Sequence, residues 1–221
     1  MKRLSHIGFS FFLLFFTQSS FAFSLSDYPD LRLQPGLGWG MGRIANESKS
    51  VRARTMNSID ANVMPGYRVS YFTPGIFFEG RVVGQNTEPS GVANTNMRGL
   101  GYYLGPAVAF QWNNLMLRGV FFALGRHMLW NETRAGYTIS LRSPLGYMGE
   151  LSYDIRGIPL IQKIAPEKWP IFLGASFRQT FYYSSSVGNT IQSIKGDPIA
   201  HWSAALGLSL LLQPSSKGET L

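Results

Sequence analysis

Apolar side chains in this chain recur at every second position, segment after segment, and that period admits strands and excludes helices. Along 100–112 the even positions are Leu100, Tyr102, Leu104, Pro106, Val108, Phe110 and Trp112, against Gly101, Tyr103, Gly105, Ala107, Ala109 and Gln111 on the odd ones. From 137 to 155 the odd positions include Tyr137, Ile139, Leu141, Leu145, Tyr147, Leu151, Tyr153 and Ile155, against Thr138, Ser140, Arg142, Glu150, Ser152 and Asp154. Leu31, Leu33, Leu37, Trp39 and Met41 likewise oppose Arg32, Gln34, Gly36, Gly38, Gly40 and Gly42. Further apolar faces run through Ile59–Tyr71, Ile76–Val82, Ile171–Tyr183 and Trp202–Leu212. The stretch 115–129 is noisier: Leu115, Leu117 and Phe121 oppose Arg118 and Arg126, and His127 falls on the apolar side at the strand end. The pattern predicts about eight strands, at 31–43, 58–73, 76–87, 98–112, 115–130, 136–156, 171–186 and 199–213.

Turn chemistry agrees with the alternation. A two-residue hairpin sets its flanking residues opposite one another on the same face. A turn at Pro74-Gly75 sets Thr73 against Ile76 and requires the apolar set to switch from odd to even numbers, as it does. A turn at Asn113-Asn114 sets Trp112 against Leu115 and requires the reverse switch, which also occurs.

The start of the chain fixes the environment. Lys2 and Arg3 precede an apolar run from Ile7 to Phe16, and Ser20-Phe21-Ala22 offers small residues at the third and first positions before a cut after Ala22. This is the pattern of a signal peptide, 1–22, with an apolar run too short to span a bilayer. No later stretch approaches the roughly 20 apolar residues of a helical span. An exported soluble β-domain and a membrane β-barrel remain. The absence of cysteine is compatible with both. The formal net charge of +8 falls by two with Lys2 and Arg3, leaving a moderately basic protein suited to an anionic membrane surface; no nucleic-acid motif is present.

Three features favour the membrane barrel. Aromatic residues gather toward strand ends, among them Trp39, Tyr67, Trp112, Trp130, Tyr153 and Trp202, where interfacial girdles lie. The polar face is rich in the chain's 24 glycines, as suits a cramped interior, and only 14% of residues are charged. Connections alternate short and long. With a periplasmic N-terminus, the turns 73–75 and 113–114 fall inside and 44–57, 88–97 and 187–198 fall outside, while 157–170 makes an unusually long periplasmic link.

On these faces and turns the chain resembles the small eight-stranded outer-membrane barrels, the OmpA-type transmembrane domain and its OmpX- and OmpW-like relatives, over the whole mature chain. The resemblance is architectural and rests on no diagnostic motif. It implies an all-β, antiparallel up-and-down transmembrane barrel at 23–213, a short periplasmic tail at 214–221, residence in the outer membrane of a Gram-negative bacterium, contact with outer-membrane lipid and lipopolysaccharide, and passage through the barrel-assembly machinery. Gly207, Leu210 and Leu212 resemble that machinery's C-terminal signal, with Leu212 where an aromatic is usual.

The polar face then lines a lumen. Its expected charge network comprises Arg68, Glu79, Arg81, Arg118, Glu150, Asp154 and Arg178, with Arg32, Arg126, Arg142 and Arg156 on the same face. The turn at Pro74-Gly75 puts Glu79 across from Ser70 and within diagonal reach of Arg68. The fourth strand offers Ala109 opposite Arg118 and Gly101 opposite Arg126. Two lumens fit these residues: an ion-paired plug, or a narrow basic passage for anions. Arg43, Lys49, Arg52 and Arg54 gather in the first outer loop, where they suit glycolipid phosphates.

Catalytic patterns are sparse. His201 and Ser203 resemble the His-x-Ser element of the outer-membrane lipid A deacylases, but both lie on the luminal parity and no carboxylate follows before Gln213 to orient the base. His127 and His201 are far apart in sequence and match no metal spacing. Gly36-Leu37-Gly38-Trp39-Gly40 belongs to an alternating strand and opens no helix, so it is no phosphate loop. The expected function is structural or surface-interacting, without enzymatic activity, cofactor, metal or nucleic-acid partner. A small transport barrel is the alternative, and a lipid A-modifying enzyme stands behind it.

Overall fold

The computed structural model describes residues 30–46, 51–85, 97–131, 138–162, 169–187, 190–193 and 199–212. The expected signal peptide at 1–22 and tail at 214–221 lie outside the described residues.

Alternating sequence becomes extended backbone throughout. Among the described residues the strand segments are β1 (Leu31–Asn46), β2 (Val51–Tyr67), β3 (Phe72–Gln85), β4 (Met97–Trp112), β5 (Leu115–Phe122), β6 (Leu124–Asn131), β7 (Thr138–Asp154), β8 (Ile171–Val187), β9 (Thr190–Ser193) and β10 (Ile199–Leu210). All pair antiparallel. β10 returns to pair with β1, β5 and β6 together fill one stave between β4 and β7, and β9 only extends β8, so the sheet closes as an eight-strand barrel. Closure removes every sheet edge, which is what lipid requires of a spanning β-structure. A 3-10 turn (Ile155–Gly157) and the one-turn helix α1 (Pro159–Gln162) open the connection from β7 to β8.

The barrel is inside out. Leu37, Ile59, Val82, Leu117, Leu151 and Leu206 lie exposed on its wall, Leu206 at 60%, while Arg118 inside it is 1% exposed. A soluble sandwich or barrel does the reverse, so the fold is of the transmembrane type. The two tight turns and the β7–β8 connection fall at one end, the turn end, and the other connections at the opposite loop end.

Three expectations are corrected. The first hairpin turns at Ser70-Tyr71, not Pro74-Gly75: Val69 and Phe72 exchange backbone bonds of 2.7 and 3.0 Å. A two-residue hairpin needs positive φ at its first central residue. Ser70 supplies φ 58° and Asn113 of the other turn φ 51°, whereas proline is fixed near −65°. Pro74 and Gly75 lie in β3 instead, and a Cβ on Gly75 would stand 2.3 Å from the Pro65 carbonyl oxygen. The four-residue displacement preserves parity, so the faces survive while the register changes. Secondly, the first outer connection is shorter than 44–57, since β1 reaches Asn46 and β2 starts at Val51.

The third correction is a bulge. Against β4, Ala107 pairs with Val120 and Leu104 with Leu124, so one extra residue, Ala123, enters between β5 and β6. Before it Met116, Arg118, Val120 and Phe122 face inward; after it His127 and Leu129 do. His127 is therefore buried rather than on the outer side, and its partner Leu141 on β7 is buried with it. Arg126 pairs with Tyr102 rather than Gly101. A Cβ on Gly105 would sit 1.7 Å from the Phe121 carbonyl oxygen, so only glycine admits the bulged chain so close. Pairing with β7 stops at Phe122↔Gly146 and resumes at Arg126↔Arg142, with Pro144, which has no N–H to donate, in the gap.

Candidate functional site

Adjacent strands place acid opposite base inside the barrel. Asp60 on β2 and Arg81 on β3 are register partners, joined by two bonds, Nε to Oδ1 at 2.6 Å and Nη2 to Oδ2 at 3.2 Å. Such a forked pair is both stronger and more directional than a single contact. Arg118 on β5 and Glu150 on β7 are also register partners and form a salt bridge. Glu79, two residues from Arg81 on the same face, has Oε1 3.5 Å from Arg81 Nε. Its carboxylate receives both terminal nitrogens of Arg178 from β8 across the lumen, Nη1 at 2.5 Å. Three carboxylates thus meet three guanidinium groups, and the middle of the barrel is formally neutral.

Aromatic rings pack against this network inside the barrel. The Arg178 guanidinium carbon is 4.6 Å from the Phe122 ring centre and 5.1 Å from that of Tyr103, and Arg118 lies 5.1 Å from Phe77. Cations over ring faces gain most where water is excluded. Above them Tyr103 shares a 2.6 Å hydrogen bond with Tyr182, and its hydroxyl lies 2.9 Å from His127 Nδ1. The His127 and His201 rings are 6.0 Å apart. Ser203 Oγ accepts from Arg81 Nη1 at 3.2 Å. The space left beside Asp60, Asn62, Glu79, Arg118, Glu150 and Arg178 is a cavity of about 30 Å³, room for about two water molecules.

Of the expected network, Glu79, Arg81, Arg118, Glu150 and Arg178 come together. Arg68 does not: it is exposed on the turn, donating from Nε to the Ser70 carbonyl at 3.0 Å. Glu79 faces Asn62 on β2, not Ser70. Asp154 stands apart at the turn end, pairing with Arg156 at 2.7 Å and accepting from its backbone N–H at 3.1 Å. Arg32 is buried near the same end. Asp60, Tyr103, Tyr182 and His127 are network members that the sequence reading missed. Luminal parity marked Asp60, and the corrected turn puts it opposite Arg81; the bulge hid His127.

The proposed glycolipid loop is only partly described. Arg43 is exposed on β1 opposite Trp202, while Lys49 and the side chains of Arg52 and Arg54 lie outside what the structure describes. His201 and Ser203 are buried inside the barrel, with Ser203 held by Arg81 rather than by a histidine base. Among the described residues no group of three or more His, Cys, Asp or Glu side chains is placed to share a metal ion.

No family model matches the chain, and no curated protein matches it. Among solved structures it is similar to Neisserial surface protein A, at 13% identity over 82% of this chain and 96% of that one with a TM-score of 0.49. It is similar to Ail, the attachment invasion locus protein of Yersinia pestis, at 12% identity, 82% and 98% coverage and a TM-score of 0.45. OprG, an outer membrane protein of Pseudomonas aeruginosa, gives 11%, 84%, 97% and 0.42. Likeness at this level transfers no function, and the barrel assignment rests on the strand pairings.

Proposed function

We propose that this chain is an integral outer-membrane barrel with a closed lumen, a non-enzymatic protein whose structural or surface-interaction role is exercised by its exterior and its loop end. The observation that carries the reading is the filled, charge-balanced interior. A conducting pore needs a continuous wet path, and here Asp60, Arg81, Glu79 and Arg178 join side to side among the buried rings of Phe77, Tyr103 and Phe122. A buried ion network that opened would strand its charges, so the closed state is favoured. Residence in the outer membrane is supported by the apolar wall and by the leader-like first 22 residues.

Bilayer recording tests this. Protein extracted from outer membranes and inserted into planar bilayers should carry no steady current, and Glu79→Ala, which frees Arg178, should show intermittent openings. Sustained, discrete channels from the unaltered protein would overturn the closed-lumen reading and put transport in its place.

A further inference from the structure

The bulge that turns His127 inward has a counterpart on the outside. Tyr102 is on the exposed wall of β4, its register partner is Arg126 on β6, and the partner of Arg126 is Arg142 on β7. Arg126 shares the face of exposed Tyr102, and Arg142 borders the same open hollow as Tyr102, Leu124 and Arg126, so the two arginines meet on the exterior, both half-buried. Like charges placed opposite each other on neighbouring strands repel. Neither forms an ion pair among the described residues; Arg126 Nε donates to Ser140 Oγ at 2.7 Å, and the enclosed Arg142 Nε has no hydrogen-bond partner. An open hollow of about 400 Å³ lies over them, bordered by Tyr102, Ala123, Leu124 and Gly125, where pairing with β7 lapses.

Depth identifies the occupant. Arg126 is 12 residues along the stave from Asn114. At roughly 2.5 Å of vertical rise per residue for a strand tilted about 40°, it stands roughly 30 Å above the turn. The apolar band of such a barrel is about 25 Å tall, so the arginines emerge at its far edge. Exposed Leu124 and Leu145 lie below them on β6 and β7. A ligand here meets acyl chains beneath and two guanidinium groups at headgroup height.

We propose that Arg126 and Arg142, with the Tyr102 hydroxyl, form a wall site for one phosphate of an anionic glycolipid in the outer leaflet. The phosphate accepts from both guanidinium groups and offsets their repulsion, and the acyl chains lie over Leu124 and Leu145. The site rests on the membrane-spanning reading but not on a closed lumen, and it is distinct from the Arg43 side of the barrel.

The test uses the full mature chain in phosphatidylcholine nanodiscs, with bisphosphorylated lipid A, the same lipid stripped of phosphate, and inorganic phosphate as separate probes. Retention and binding are both read by native mass spectrometry. Bisphosphorylated lipid A should bind, and the double variant Arg126→Gln/Arg142→Gln should weaken it about tenfold or more, as loss of charged hydrogen bonds implies. Arg142→Gln alone should weaken it less, and Arg68→Gln, on the exposed turn at the opposite end, should leave it unchanged. Equal retention by the double variant, or of the phosphate-free lipid, would overturn the site. A full response to inorganic phosphate alone would overturn the lipid as its ligand. Conductance by the unaltered protein would sink the closed-lumen reading and leave this site standing.

Discussion

Two sides of the barrel obey the same alternation and end differently. On β8, β10 and β1, partners run in unbroken register from Ile199↔Tyr182 to Leu210↔Ile171 and from Gly36↔Ser209 to Ala45↔Ala200, and each strand keeps one parity inside over its described side chains. Across the barrel, the β5–β6 stave carries an extra residue against β4 and a gap in its pairing with β7, and beyond it outward and inward positions of that stave trade places. A single residue thus decides whether an arginine joins the interior or meets the headgroups. In a period-two wall, register outranks residue type in assigning a side chain its solvent.

The two regions are tied by Arg178, which comes from the regular side and stacks on Phe122, the last residue before the bulge. The largest effect should follow from cutting that tie. Glu79→Ala leaves the buried Arg178 guanidinium without a carboxylate while Arg81 keeps Asp60, and unfolding in detergent should show a loss of about 3–5 kcal/mol. A loss below 1 kcal/mol would mean that the network is wetter than the geometry here. Next comes the wall itself. Leu206→Arg on the regular side should cost about 2–4 kcal/mol of insertion free energy if it lies near the midplane. The exchange in the opposite sense at the interrupted side, Arg126→Leu, should cost nothing in folding into lipid vesicles. Equal penalties for the two would erase the distinction between the regions. The smallest effect belongs to Arg68→Ala, which removes an exposed turn residue and should change stability by less than about 0.5 kcal/mol.

Alternation was legible in the sequence because lipid and lumen make opposite demands on successive residues, and Trp39, Leu151 and Leu206 are exposed where that pattern puts them. Pro74-Gly75 misled because the dipeptide is a strong turn signal in general but carries the wrong φ for a two-residue hairpin. Moving the turn to Ser70 is what brings Asp60 opposite Arg81, so one misplaced turn concealed an acid and lent the interior a false anion preference. The bulge was silent for another reason. Phe121, Phe122, Ala123 and Leu124 are all apolar, and no parity can be read through such a run. Its trace was on a neighbouring strand, at Gly105, and became meaningful only once Phe121 was known to lie against it.

The contact between Arg178 and Glu79 joins residues 99 apart in sequence, on strands that are not neighbours in the wall. In a growing, still-open sheet β3 and β8 stand far from each other, and neither hairpin contains both partners. Arg81 and Asp60 can meet as soon as β2 and β3 zip, but Arg178 has to wait until the first and last strands join. Assembly therefore carries one unanswered positive charge to its final step, and the pair that answers it acts as a clasp: it rewards the closed ring alone, so partly curled intermediates gain nothing from it and completion becomes all-or-none.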